Sequence, residues 1–214
     1  MPTGPGKNCG YSVSGIASLT GLAVLALVVG VASATFVRAN EDARDVVNLA
    51  VPERPAEPGW DAERRAFAAR LQKGYGIGHD SAVEFAGWIL EASVRQDLEP
   101  ELLASVVMVE SSFRKDVRSI TGAVGPAQVR PDLWWQFCGG DLYDPEQNLY
   151  CGAHILGYYR DVCALNNADS LTLAEECALR AYNVGFGNRN NVYFLAAAAR
   201  YLDKIDRYRE PLQG

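Results

Sequence analysis

The 214-residue sequence predicts an all-α protein, a helical domain preceded by one transmembrane helix. Three observations carry this expectation. Beyond residue 60, apolar residues recur at three- and four-residue intervals, the period of a helix buried along one face. No segment alternates apolar and polar residues as a half-buried strand does. Between Lys7 and Arg38 there is no charged residue, and residues 16–37 are dominated by Leu, Val, Ala and Ile; at 1.5 Å per residue such a helix is roughly 33 Å long, enough to cross a bilayer core.

Taken in order, residues 1–38 read as an N-terminal membrane anchor. A cleaved secretory signal is the competing reading, because Ala32-Ser33-Ala34 has the small-residue pattern of a cleavage site; the long segment before the apolar core, with its single lysine, favours the anchor. Residues 39–60 include Pro52, Pro55 and Pro58 and hold no sustained helical period, so they read as an extended linker. A helical domain is expected over 61–210. Helices are predicted at 60–73 and at 80–97, the latter with Val83, Ala86, Leu90 and Val94 on one face and Glu84, Glu91 and Arg95 on another. A third helix opens at Pro100 and Glu101 and ends in the run 102–109 followed by Glu110. Asp144 as cap, Pro145 and Glu146 begin a long helix to about Leu165. Ser170 or Thr172 starts the next, ending near Asn183, and 191–208 forms the last. Trp88, Trp134, Trp135, Tyr158 and Tyr159 read as packing residues, Trp134 and Trp135 being the two that could instead stack on a sugar.

Charge excludes one class of function. Residues 41–214 carry 18 basic against 26 acidic side chains, net −8, so there is no basic footprint for nucleic acid. About 170 residues suffice for one core.

Cys138, Cys151, Cys163 and Cys177 fall in the domain, and Cys9 stands apart. Cys151 and Cys163 lie twelve residues apart on one helix, about 18 Å along its axis, and cannot bridge each other. Pairing of adjacent elements favours Cys138–Cys151 with Cys163–Cys177; four reduced thiols are the alternative. No Cys-x-x-Cys occurs and His79 and His154 lack ligand spacing, so neither metal nor cofactor is expected.

Glu110 is the residue that folding alone does not explain. Free carbonyls at a helix end and apolar surroundings both raise a carboxyl pKa, which would make Glu110 a proton donor. A frayed, water-exposed helix end is the other reading of the same position.

The residues around it carry a resemblance. Glu110-Ser111-Ser112-Phe113, then Gly122-Ala123-Val124-Gly125-Pro126-Ala127-Gln128-Val129-Arg130-Pro131, then Asp144-Pro145-Glu146-Gln147-Asn148-Leu149 with Gly152, then Ala181-Tyr182-Asn183-Val184-Gly185 resemble, in order, the blocks of the soluble lytic transglycosylase family, lysozyme-like enzymes that cleave peptidoglycan. The likeness covers about residues 80–208 and implies a goose-type-lysozyme-like helical domain. Pro126-Ala127 replaces the family's usual Leu-Met, which predicts a differently shaped cleft wall.

The resemblance implies that Glu110 is the catalytic acid and then base, and that Ser119, Gln128, Tyr182 and Asn183 bind substrate, with the Tyr182 hydroxyl near the carboxylate. Asn148 and Gly152 read as architectural, Ser111 as a helix-end residue. The implied reaction cuts the bond between N-acetylmuramic acid and N-acetylglucosamine and leaves a 1,6-anhydromuramyl end. The implied partners are peptidoglycan glycan strands, and the membrane through the N-terminal helix. Such an enzyme is expected to be a single-pass inner-membrane protein with its domain on the periplasmic side. Two further readings stay open: a muramidase that uses water, favoured if Asp116, Asp132 or Asp141 lies across the cleft from Glu110, and a structural component of a secretion apparatus or of a phage injection device, virion-associated before delivery.

Overall fold

The computed structural model describes residues 58–165 and 170–213. The expected anchor and nearly all of the linker lie outside the described residues, and among those described no helix is long and apolar enough to cross a membrane. Seven α-helices occupy this part of the chain: α1 (Pro58–Tyr75), α2 (His79–Gln96), α3 (Pro100–Ser111), α4 (Pro131–Cys138), α5 (Pro145–Ala164), α6 (Leu171–Val184) and α7 (Leu195–Arg209). Short 3₁₀ turns follow α6 at Phe186–Asn188 and α7 at Glu210–Leu212. Isolated bridges pair Val124 with Arg118 and with Val129, and no strand forms among the described residues.

The domain is wider than 61–210. Helix α1 begins at Pro58, where a proline costs no helical hydrogen bond, and Leu212 is fully buried. Arg70 donates to the Leu212 carbonyl at 2.9 Å and to Glu101 at 2.5 Å, which fastens the C-terminal turn to α1.

Helices α3 and α5 form the centre. Leu102 to Val107 of α3 are all buried, as an all-round apolar helix must be. Helix α5 buries Leu149, Tyr150, Cys151, Ala153, Ile155, Leu156 and Tyr159 and packs against α2 and α6. The caps are as the sequence predicts: Asp144 accepts from the Gln147 N–H and Ser170 from the Leu173 N–H. Helix α3 ends where Ser112 turns left-handed (φ 54°) and its N–H reaches the Met108 carbonyl. Ser111 sits inside this end, its hydroxyl donating to the Val107 carbonyl at 3.0 Å.

Helix α4 has no counterpart in the sequence reading, being eight residues long, too short for a resolvable period. The last helix begins at Leu195 rather than 191, because the Asn191 side chain accepts from the Tyr193 N–H and holds a turn.

Two disulfides join neighbouring elements, Cys138–Cys151 between α4 and α5 and Cys163–Cys177 between α5 and α6, with Cα atoms 5.4 and 6.0 Å apart. Each closes a short loop, worth about 3 kcal/mol through the unfolded state. Cys163→Ser with Cys177→Ser is therefore expected to lower the urea unfolding free energy by about 2–4 kcal/mol with the helical signal at 222 nm retained.

Candidate active site

Helix α3 delivers Glu110 to a cleft of about 490 Å³, lined also by Ser119, Thr121, Gln128, Arg130, Trp134, Tyr159, Tyr182 and Asn183. All five residues assigned to the site from the sequence thus line one cavity. Glu110 keeps a partial opening to this cleft, yet burial dominates its ionisation and raises its carboxyl to about 7. Two groups on α7 oppose the shift: the Tyr201 hydroxyl, which donates to Glu110 Oε1 at 2.8 Å, and the more distant positive charge of Lys204. The frayed-end reading of Glu110 does not hold, because α7 packs along α3 and covers it.

Tyr201 is the residue that sequence reasoning missed. It is 5 % exposed, and Ala198, Tyr201 and Ile205 form the buried face of α7. A tyrosine within such an apolar stripe needs a partner for its hydroxyl, which is the signal that could have found it. Helix α7 is held in register by Arg209, which pairs with Glu175 of α6 at 2.7 Å and with Glu99 at the start of α3.

Tyr182 lies close enough for the charge of Glu110 to help burial push its hydroxyl pKa up, but it donates its proton to another group. Its hydroxyl donates to the Ala127 carbonyl at 2.7 Å, not to Glu110, because Gly152 lets the ring pass close to α5: a β-carbon there would stand 2.4 Å from Ala127 Cβ and 2.8 Å from the Tyr182 hydroxyl oxygen. Asn148 completes the clasp. Fully buried, it accepts from the Ala127 N–H at 3.0 Å and donates to the carbonyls of Val124 and Leu142 at 2.9 and 3.0 Å. Gly125 (φ 71°) packs directly on that amide, and no other residue would fit. The loop opposite Glu110 is fixed by this arrangement.

Gln128 is part of the same loop, left-handed at φ 49°, with its amide nitrogen donating to the carbonyls of Gly125 and Val117; its amide oxygen is the group it can offer a ligand. The Ser119 hydroxyl accepts from the Ala123 N–H at 2.9 Å and lies 2.9 Å from the Thr121 hydroxyl, closing a turn at the rim rather than touching Glu110. Asn183 is exposed in the cleft beyond Tyr182. Pro126 and Ala127 are buried and do not line the cleft, so the departure from Leu-Met falls behind its wall. Trp134 lines the cleft, supported edge-on by Tyr159 and Phe137, whereas Trp135 is 59 % exposed outside it.

Among the described residues, Glu110 is the single carboxylate lining the cleft. Asp116 and Asp141 lie outside it, and Asp132 is exposed and paired with Arg130.

Comparison with known proteins gives this geometry its family. The model of the transglycosylase SLT domain family matches residues 87–201, more than half of the chain. The chain belongs to this family. A protein of Enterobacteria phage PRD1 named "Transglycosylase" is 40 % identical over 65 residues, 30 % of this chain. The match spans 24 % of that relative's length. Within the SLT domain of this chain lie Glu110, the clasp around Ala127 and Tyr201; Lys204 falls just beyond the matched residues.

The SLT-domain glutamate should leave a mark on stability. With the Glu110 carboxyl raised from 4.5 to about 7, the unfolded chain releases this proton first, so stability declines as pH rises from 4.5 to 7 and the full penalty applies above that. Glu110→Gln is expected to match the parent below pH 4.5 and to exceed it at pH 8 by up to about 3 kcal/mol in urea unfolding, at about 1.4 kcal/mol for each tenfold gain in proton affinity. The two tyrosines should separate. Tyr201→Phe removes the hydroxyl that favours the carboxylate, so the Glu110 pKa, followed by carboxyl NMR titration, should move further up. Tyr182→Phe should leave that titration nearly in place and cost about 1 kcal/mol of stability, one neutral hydrogen bond.

Proposed function

We propose that the protein is a lytic transglycosylase that cuts the bond between N-acetylmuramic acid and N-acetylglucosamine in peptidoglycan and leaves a 1,6-anhydromuramyl end. The single observation that carries this reading is the lone carboxylate of the cleft. A hydrolase of the usual kind needs two carboxyl groups, one to protonate the leaving oxygen and one to activate water or attack the sugar. Here Glu110 has no acidic partner across the cleft among the described residues, so one group performs both proton transfers.

Protonated Glu110 gives its proton to the glycosidic oxygen as the bond to the muramyl C1 breaks, and the N-acetylglucosamine leaves as an alcohol. The substrate's own N-acetyl group supports the positive charge at C1. The resulting carboxylate then takes the proton of the muramyl C6 hydroxyl, whose oxygen bonds to C1, and Glu110 is restored to its acid form with no water consumed. A carboxyl near 7 serves both steps, since proton donor and acceptor are best matched close to the working pH. Tyr201 holds one oxygen in place, while Gln128, Asn183 and Ser119 offer polar groups to the sugars and Trp134 offers an aromatic face.

Two disulfides suit an oxidising compartment, and a wall enzyme must face the wall. On this reading the domain works on the periplasmic side of the inner membrane, tethered by residues 1–38. Delivery by a virion or an envelope-spanning apparatus is a second reading, favoured by the likeness to the phage protein over 65 residues.

Digestion of purified sacculi followed by mass spectrometry tests the reaction. Products should carry anhydro ends, lighter by one water than the reducing ends of a hydrolase, and Glu110→Gln should abolish them. Reducing ends from the parent enzyme would make it a muramidase.

A further inference from the structure

We propose that Arg130 reads a carboxylate on the muramyl side of the glycan strand, so that the enzyme prefers anionic strands to neutral ones; this rests on the peptidoglycan reading above. Among the described residues, Arg130 is the only cationic side chain lining the cleft of Glu110. In the free protein its fork is turned on Asp132, with Nε 3.2 Å and Nη2 2.5 Å from the two carboxylate oxygens. The pair is open to water, the side chains being 43 % and 56 % exposed, and an exposed pair of this kind holds weakly. Its geometry is nevertheless the two-pronged fit that guanidinium makes with any carboxylate. Asp132 thus occupies the place of an exchangeable anion.

The backbone at this point is rigid. Arg130 caps α4, its carbonyl accepts from the N–H groups of both Leu133 and Trp134 at 3.1 Å, and Pro131 follows it. A fixed stem presents the fork at the cleft wall. Arg130 shares the cleft lining with Glu110, but its side chain is directed to Asp132 and not to that carboxyl. It would bind a substituent of the strand and have little part in proton transfer. Muramic acid supplies such a substituent: its lactyl ether ends in a carboxylate that is either free or extended into a peptide with carboxylates of its own. In a chain whose residues 41–214 carry net −8, an anionic strand needs a local cation of this kind.

The test compares the full chain on three forms of one glycan preparation: strands bearing stem peptides, strands stripped by an amidase, and stem-bearing strands whose carboxylates have been converted to methylamides. The parent should favour carboxylate-bearing over amidated strands by about tenfold in kcat/KM, the scale of one partly exposed charge-assisted hydrogen bond. Arg130→Gln should lose this preference through KM more than kcat, Arg130→Lys should recover part of it, and Asp132→Asn, which frees the fork, should lower KM on anionic strands. Preference kept on stripped strands identifies the lactyl carboxylate; preference confined to stem-bearing strands identifies the peptide. Equal cleavage of amidated and anionic strands by the parent, or an unchanged preference in Arg130→Gln, would overturn the assignment while leaving the transglycosylase reading intact. Failure of the parent to release anhydro ends from any strand would remove both.

Discussion

The structure depends on keeping one carboxyl group out of water without leaving it unpartnered. Burying an ionisable group is tolerable only if its hydrogen-bonding capacity is met, and a carboxyl with no partner would be driven towards the neutral form throughout the working range. Glu110 is buried by the packing of α7 along α3 and is partnered by Tyr201 from the same α7. The element that desolvates the group therefore also satisfies it. This is why Arg209, remote from the cleft, matters: by tying α7 to Glu175 and Glu99 it fixes both the cover and the hydrogen bond.

The other wall of the cleft is built on a different principle. Loop 117–130 has turns and isolated bridges but no regular element to hold it, and the backbone groups these leave over would be costly to bury unpaired. Asn148 answers two of them from within α5, while its remaining donor goes to the Leu142 carbonyl ahead of that helix, and Tyr182 answers a third from α6. Such a network is worth having only when complete, which explains the glycines at 125 and 152: any side chain at either would displace Asn148 or Tyr182 and break it. The nearby Cys138–Cys151 bridge anchors α4, which carries Trp134 and is preceded by Arg130 at its cap, to the same helix α5. Loop, α4 and cysteines are thus positioned from one scaffold helix.

The helices were legible in the sequence wherever period and cap coincided. Asp144-Pro145-Glu146 and Ser170 marked real starts, and the run after Pro100 marked a helix apolar on all sides. Periodicity failed for α4, whose eight residues complete barely two turns, and for residues 191–194, where an asparagine side chain holds a turn ahead of the helix. The cysteine pairing was legible because helix rise forbids one connectivity and adjacency favours one of the two that remain. The site was half legible. Blocks of residues assembled Glu110, Ser119, Gln128, Tyr182 and Asn183 around one cavity, but which hydroxyl meets the carboxylate is a property of how α7 crosses α3, and no local pattern encodes a crossing. Tyr182 is partly buried and Tyr201 buried, both on helix faces; only the packing assigns the first to a carbonyl and the second to Glu110.

A single group asked to be acid and then base has to be balanced between two environments. Enclosure alone would hold Glu110 protonated, a donor unable to accept from the C6 hydroxyl once the first bond has broken. Hydrogen bonding and positive charge alone would hold it ionised, with no proton to give. In this protein the apolar enclosure is the larger influence, and the Tyr201 hydroxyl and Lys204 pull the other way, leaving the group near 7. Because both correctives sit on α7, within one turn of each other, any shift of that helix alters them together. Changes to the proton affinity of Glu110 should therefore track the docking of α7 more closely than any change to the loop that faces it.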